Sequence, residues 1–339
     1  MKTIEICDLK KVYRTKVKKR GLMGGFRSIF TPSYKITEAL RGIDFSLEQG
    51  HAIGFIGPNG SGKSTTIKIL TGILHPTSGM VSVMGLEPSL ARQRLSCQIG
   101  VMFGQRSQLL LHLPPADSFM LLGSIFDLSP ARVRERVREL SAKLGLDDIL
   151  HTPTRKLSLG QRMRCELAAT LLHRPKLLLL DEPSIGLDVV AKQSFRNLVK
   201  DLLKHEGLSL VLASHDMGDI ESVCPQVVLI NSGSIVFDGS LRTLKSKYVG
   251  SKTINVQYVN ELGGAGLSDM KTSAGFKIVA STDTSVSCLL DRKSGSIGSV
   301  IAQLANLGEI HDISVADESL EDIVGRIYSM AGRNGDAVV

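Results

Sequence analysis

No run in this 339-residue chain approaches the ~20 consecutive apolar residues that a membrane-spanning helix requires, so nothing in it is expected to cross a bilayer. Residues 1–6 alternate in the manner of a strand and lack the apolar stretch of a secretory signal. Cysteine is sparse: Cys7, Cys97, Cys165, Cys224 and Cys288 are scattered and odd in number, with no C-x-x-C spacing for zinc. They read as reduced thiols of a cytosolic protein. Acidic residues are missing from residues 10–35, which carry nine Lys and Arg. The whole chain has a net charge of +8, so the remainder is close to neutral, which argues against a broad basic face for nucleic acid. Inside that segment Leu22, Met23, Phe26, Ile29 and Phe30 are interleaved with cations. The mixture suits an anionic lipid surface or an acidic partner, and equally a solvated loop inserted between two edge strands.

What is present begins with Gly57-Pro58-Asn59-Gly60-Ser61-Gly62-Lys63-Ser64, followed by Thr65, a complete G-x-x-x-x-G-K-[ST] loop. Gly57, Gly60 and Gly62 let successive backbone N–H groups turn inward toward phosphate oxygens. An apolar run at 51–56 reads as the strand entering the loop, and residues 65–74 as the helix leaving it. That helix N-terminus favours an anion, Lys63 can reach the outer phosphates, and the Ser64 hydroxyl can coordinate Mg²⁺.

A second run, Leu177-Leu178-Leu179-Leu180, ends in Asp181-Glu182-Pro183, as a buried parallel strand ends at the carboxyl edge of a sheet. Adjacent carboxylates there fit phosphoryl transfer, which depends on positioning and charge neutralisation. Asp181 is the expected Mg²⁺ partner, through water, and Glu182 the catalytic residue that orients and polarises the attacking water. Taken alone, an acid-capped Leu strand is also compatible with a purely structural role.

Between these two motifs stands Leu157-Ser158-Leu159-Gly160-Gln161, and together the three resemble the pattern of ABC-transporter ATPases. The resemblance implies that Ser158, Gly160 and Gln161 lie at a helix start and reach, across a head-to-tail dimer, the γ-phosphate held by the partner's loop. A hydroxyl, a residue permitting close approach and a helix N-terminus suit that task. Leu159 replaces the family's usual Gly, a departure expected to affect affinity weakly. Ser184-Ile185-Gly186-Leu187-Asp188 resembles the loop that communicates across the dimer, which places Asp188 in the nucleotide site. His215, in Ala213-Ser214-His215-Asp216, resembles the switch histidine, a catalytic γ-phosphate contact whose neutral ring donates one hydrogen bond and accepts another. Tyr13 stands where the family stacks an aromatic on adenine, although simple packing would also place an aromatic on an early strand. The glutamine loop departs from the family: the slot for the Mg²⁺-contacting Gln falls on Gly104, with Gln105 one residue later and Gln108 nearby. Gln105 is taken as the metal contact, since a glycine-permitted loop can absorb one residue of offset; otherwise the metal relies on Ser64 and waters.

The fold expected is α/β: a P-loop ABC cassette with a mostly parallel core sheet, an antiparallel β subdomain and a helical subdomain, plus a small C-terminal α+β domain. The cassette is assigned to residues 1–245, with the basic insertion at about 14–36 and the helical subdomain at about 106–172. In the latter, Ser129-Pro130 reads as a helix start and Val133, Val137, Leu140 and Leu144 share one face. Leu109, Leu110, Leu111 and Leu113 are unusually apolar for a loop and divide between core and a docking patch for a permease. Residues 241–248 are read as the last helix of the cassette, 252–330 as the accessory domain and 331–339 as a tail.

The function implied is that of an ATP-hydrolysing subunit, with ATP and Mg²⁺ as cofactors and a second cassette, most simply a second copy, as dimer partner. A separately encoded membrane permease would hold it peripherally at the cytoplasmic face of the plasma membrane. Met102-Phe103-Gly104-Gln105-Arg106-Ser107-Gln108-Leu109, Leu187-Asp188-Val189-Val190-Ala191 and the basic insertion resemble ATPases of ABC-2 type and multidrug exporters, which favours export. An importer ATPase with a regulatory C-terminal domain is the alternative. A soluble ABC ATPase acting on ribosomes or DNA fits less well: there is one nucleotide loop, and the interval from Lys63 to Ser158 has no room for a long coiled coil.

Overall fold

The computed structural model describes residues 2–16, 34–104, 106–248, 251–262, 276–291 and 296–334. Most of the basic insertion, the residues after 334 and Gln105 lie outside the described residues. The strands in chain order are β1 (Lys2–Lys16), β2 (Tyr34–Glu48), β3 (Ala52–Ile56), β4 (Ser78–Val83), β5 (Ile99–Phe103), β6 (Leu177–Asp181), β7 (Ser209–Ala213), β8 (Gln226–Asn231), β9 (Ser234–Ser240), β10 (Ser251–Tyr258), β11 (Phe276–Ser281), β12 (Ser285–Asp291) and β13 (Ile310–Asp317). The helices are α1 (Lys63–Leu70), α2 (Arg92–Ser96), α3 (Pro115–Ile125), α4 (Pro130–Leu144), α5 (Leu159–Leu171), α6 (Val189–Glu206), α7 (Met217–Val223), α8 (Leu241–Tyr248), α9 (Ile297–Ala305) and α10 (Leu320–Asn334).

A six-stranded sheet in the order β5-β6-β7-β3-β8-β9 forms the centre of the first unit, parallel throughout except for the β8-β9 pair. Its central strands β3, β6 and β7 are buried at every position, which explains their unbroken apolar runs: helices or the second sheet cover both faces. Burial at 0 % exposure of Leu177, Leu178, Leu179 and Leu180 fixes the height at which the acidic pair emerges. The second sheet, β2-β1-β4, is antiparallel and shares one apolar core with the first, including Ile4, Leu40 and Leu47. Phe45 and Phe55 meet edge to face across that junction, with ring centroids 5.0 Å apart. Hairpin pairing of β1 and β2 extends to Lys16 opposite Tyr34, so both ends of the basic insertion are strand.

Helices α3, α4 and α5 make up the helical part. Ser129 caps α4, accepting from Arg132 N at 3.4 Å, Pro130 occupies its first turn, and Gly145 ends it in a left-handed conformation. Val133, Leu140 and Leu144 are buried and Val137 is half-buried. Arg136 joins that buried face, a placement the apolar spacing did not indicate.

The chain divides into two compact units between Leu241 and Arg242, so all of α8 beyond its first residue groups with the second unit. That second unit carries an antiparallel sheet in the order β11-β12-β10-β13. Its core gathers Ile254, Val256, Val286 and Cys288 from alternate strand positions with Val300 and Leu304 from α9.

Candidate functional site

The loop at 57–64 joins β3 to α1, and its geometry fits the approach of an anion. Gly62 caps α1 at φ +118° with no side-chain cap, and the first turn has no acidic residue, so the helix N-terminus is free to face an anion. A Cβ on Gly57 would lie 2.4 Å from Ser61 Oγ and 2.5 Å from Ile230 O, so only glycine fits that crossing. Ser61 Oγ is buried with no hydrogen-bond partner among the described residues. Lys63 is buried too, and its Nζ donates to Gly57 O at 2.5 Å and Pro58 O at 3.3 Å. Burial lowers its pKa against the opposing pull of Glu182 and Asp181. Pro58, Asn59 and Gly60 form an exposed rim, while Thr65 is half-buried in α1.

Beside the loop, Ser64 Oγ donates to Asp181 Oδ1 at 3.1 Å. Burial raises the Asp181 pKa above its ordinary value, with the Ser64 hydrogen bond working against it. Glu182 follows at φ +54°, a left-handed conformation rare for a side-chain-bearing residue. Its N–H donates to Ala213 O at 2.8 Å. Its Oε2 accepts from His215 N at 3.3 Å and lies 2.5 Å from His215 Nδ1. With Glu182 ionised, Nδ1 carries the ring proton and Nε2 of the neutral ring is an acceptor. In that tautomer the neutral ring donates one hydrogen bond, to Glu182, and keeps one acceptor.

The turn after β5 presses on the same strand end. Gly104 N donates to Asp181 O at 2.8 Å, and a Cβ on Gly104 would lie 2.0 Å from Glu182 O. A glutamine cannot stand at 104 in this arrangement. Gln108 is tied into the helical part, its Nε2 donating to Val101 O at 2.8 Å and Thr170 Oγ1 at 3.0 Å. Gln105 lies outside the described residues. Tyr13 is half-buried on β1, paired with Thr37 on the strand whose Ala39 and Leu40 abut Gly62, and Lys11 Nζ sits 5.3 Å from its ring centroid.

A second group is assembled apart from the first. Ser158 caps α5, its Oγ accepting from Gln161 N at 3.2 Å while Gln161 Oε1 accepts from Ser158 N at 2.9 Å, a reciprocal capping box. Asp188 caps α6, accepting from Ala191 N at 2.8 Å. Ser158, Gly160, Gln161 and Asp188 line one cleft of about 390 Å³, and none of Lys63, Ser64, Asp181 or Glu182 shares it. Roomier clefts of about 470 and 720 Å³ contain no candidate residue.

Behind both groups runs an ionic network that the sequence reading missed. Buried Asp219 accepts from Ser184 Oγ and from Arg196 Nε, the latter at 2.7 Å. Arg196 and Lys192 also reach Asp216, at 3.0 and 2.5 Å. Burial alone would raise the Asp216 pKa, but these two cations hold it below its ordinary value. The spacing of Lys192 and Arg196 four residues apart on α6 was the available signal.

The donor set suits Mg²⁺: one hydroxyl and one carboxylate, both oxygen, too few for a protein-only cage and therefore dependent on phosphate oxygens and water. Among the described residues no cluster of three His, Cys, Asp or Glu could hold a metal. No described helix is long and apolar enough to cross a membrane.

Comparison with known proteins identifies the family and the fold. The profile of the ABC transporter family matches residues 40–185. The ABC transporter ATP-binding protein NatA of Bacillus subtilis is 27% identical over 68% of this chain and 92% of its own. The linearmycin resistance ATP-binding protein LnrL of the same species is 31% identical over 66% of this chain and 71% of its own. The structure of cbiO1 from Clostridium perfringens, part of the ABC transporter complex cbiONQ, superimposes with a TM-score of 0.59 at 24% identity, over 73% of this chain and 94% of that one. Given the 31% identity over 71% of the length of LnrL, the chain belongs to the family of ABC transporter ATP-binding proteins.

Proposed function

We propose that this chain hydrolyses ATP at the loop of residues 57–64 and thereby powers export through a separately encoded ABC-2 type permease. The observation that carries the reading is the convergence of Lys63, Ser64, Asp181, Glu182 and His215 at one end of the parallel sheet. The loop N–H groups and Lys63 bind the phosphates, with Lys63 exchanging its carbonyl partners for phosphate oxygens. Ser64 and Asp181 are the residues that would hold Mg²⁺, which would supply charge neutralisation on the phosphates. Glu182, fixed by its left-handed backbone and by His215, orients water for in-line attack and receives its proton. Tyr13 offers its ring to the base.

Ser158, Gly160, Gln161 and Asp188 complete the site of a second copy, since they lie apart from the phosphate loop of their own chain. Closure then depends on ATP being contacted by both copies, and hydrolysis removes those contacts. Export is favoured by the segments at 102–109 and 187–191 and by relatedness to an antibiotic-resistance protein. Leu110, Leu111 and Leu113, all more than 40% exposed, offer the permease an apolar docking surface that would hold the subunit at the cytoplasmic face.

The test is Glu182→Gln in the full-length chain. The expected result is loss of ATP turnover by at least about 10²-fold together with a dimer on gel filtration that appears with ATP and not with ADP. Hydrolysis at the wild-type rate would remove Glu182 from the mechanism.

A further inference from the structure

Ser64, Asp181 and Glu182 share a cleft of about 250 Å³ with Arg106, which arrives there on the tight turn after β5. Arg106 N donates to Phe103 O at 2.9 Å and Gly104 N to Asp181 O at 2.8 Å, so the turn is pinned to the acidic strand end through its backbone. The Arg106 side chain is exposed and makes no hydrogen bond or ion pair with any described residue.

An unpaired arginine beside two carboxylates needs an explanation, because guanidinium forks normally take such partners. Arg136, Arg174 and Arg196 of this chain all do. Around Arg106 the carboxylates are already engaged: Asp181 by Ser64, Glu182 by His215, and Glu166 by Ser107 Oγ and by Gln108 N at 3.0 Å. Five N–H donors are thus left at the edge of the proposed phosphate cleft. A phosphate oxygen is the acceptor that matches them, being anionic, able to accept from two guanidinium nitrogens and due at this place when nucleotide binds.

We infer that Arg106 contacts the terminal phosphate of the bound nucleoside triphosphate, supplying a positive charge from the turn after β5. The inference rests on residues 57–64 being the ATP site. Its mark is discrimination between triphosphate and diphosphate, since a contact on the outer phosphate has nothing to hold in ADP.

The experiment measures binding of fluorescent N-methylanthraniloyl ATP and ADP to the full-length chain, with EDTA present so that metal coordination does not contribute. Wild type, Arg106→Gln and Arg106→Lys are compared. Arg106→Gln is expected to weaken ATP about tenfold and ADP less than about twofold, as one charge-assisted hydrogen bond would. Arg106→Lys is expected to fall between, because an ammonium keeps the charge and loses the fork. Unchanged binding of both nucleotides by Arg106→Gln would make Arg106 a solvated rim cation and overturn the inference. Equal weakening of both would overturn it too, pointing to distortion of the turn. Wild type that binds neither nucleotide even after Mg²⁺ replaces EDTA would instead refute the ATP site itself.

Discussion

The least forgiving contact in the site is between two backbones, and Gly104→Ala tests it. A Cβ at 104 would stand 2.0 Å from Glu182 O, 2.9 Å from Glu182 C and 3.2 Å from Asp181 O. Restoring ordinary van der Waals separation requires more than an ångström of relative movement. Neither side yields easily. Glu182 is held at φ +54°, its N–H on Ala213 O, and β6 is buried between β5 and β7. If the turn moves instead, the 2.8 Å bond from Gly104 N to Asp181 O is lost. That bond is worth about 1 kcal/mol and the overpacking costs about 1–3 kcal/mol, giving an expected loss of about 2–4 kcal/mol in stability. The effect on rate is of comparable size: displacing the Glu182 carboxylate by about 1 Å costs up to about 10²-fold, or about 2.7 kcal/mol. Steady-state phosphate release should show kcat reduced about 10- to 100-fold with KM for ATP changed less than about threefold, since the phosphate loop is untouched. Gly50→Ala is the control, because Gly50 has φ +76° but open space around it. It should cost about 1 kcal/mol and leave kcat unchanged. A Gly104→Ala protein with kcat within twofold of wild type would refute the claim that this contact positions Glu182.

The remaining expectations concern the helical part and the apolar surface. Arg136, with its side chain 4% exposed, is held by Glu206 at 3.4 Å and Glu139 at 2.9 Å, and Lys143 reaches Glu206 at 2.5 Å. Glu206→Gln should cost about 1–2 kcal/mol in urea unfolding at neutral pH. Burial would raise the Glu206 pKa, but Lys143 and Arg136 outweigh it and hold the group below its ordinary 4.5. Its contribution is therefore complete above 4.5 and lost as pH falls through the lower folded value, so wild type and variant should converge only in acid. Convergence at neutral pH would contradict the assignment. Leu110→Ser with Leu111→Ser should cost less than about 1 kcal/mol because both side chains are exposed, keep basal ATP hydrolysis and abolish co-purification with the permease. Retained co-purification would move the docking surface elsewhere.

The residues legible in advance were those whose local chemistry admits few alternatives. A glycine-spaced loop ending in Lys63-Ser64 and a Leu strand ending in Asp181-Glu182 point to their own geometry, the resemblance supplied the helix start at Ser158, and the structure places each at the corresponding element end. Helix limits were less legible. Helix α1 begins at Lys63, two residues before the predicted start at 65, because Gly62 caps it without a polar side chain, and it stops at Leu70 instead of running to 74, where Thr71 caps it and Gly72 turns left-handed at φ +69°. Leu109 is buried while Leu110, Leu111 and Leu113 are exposed, a division that no periodicity within a loop encodes. Long-range polar contacts were invisible for a different reason. Asp219 joins Ser184, 35 residues away, and Arg136 joins Glu206, 70 residues away, and nothing near either partner announces the other. The glycine at 104 looked like a departure to be absorbed by its neighbour. In three dimensions it is the residue that lets the turn lie against the Glu182 carbonyl.

The capping contacts of Ser158 bear on why one chain would hold two incomplete halves of a site. Ser158 Oγ spends an acceptor lone pair on Gln161 N at 3.2 Å, and Gln161 in turn occupies the Ser158 N–H. The hydroxyl proton is not used in either bond and remains available to donate. A hydroxyl whose acceptor role orders its own helix start keeps a donor that, on the proposed function, would serve an anion brought from outside. No anion-holding loop of the same chain shares its cleft. The phosphate loop shows the converse arrangement: Lys63 turns back on the Gly57 and Pro58 carbonyls and Ser61 Oγ is buried without a partner among the described residues. Each half carries unmet capacity of the kind the other would satisfy through a triphosphate. On the proposed function, a head-to-tail pair of copies would satisfy both halves at once, with nucleotide as the bridging component and its hydrolysis as the event that parts them.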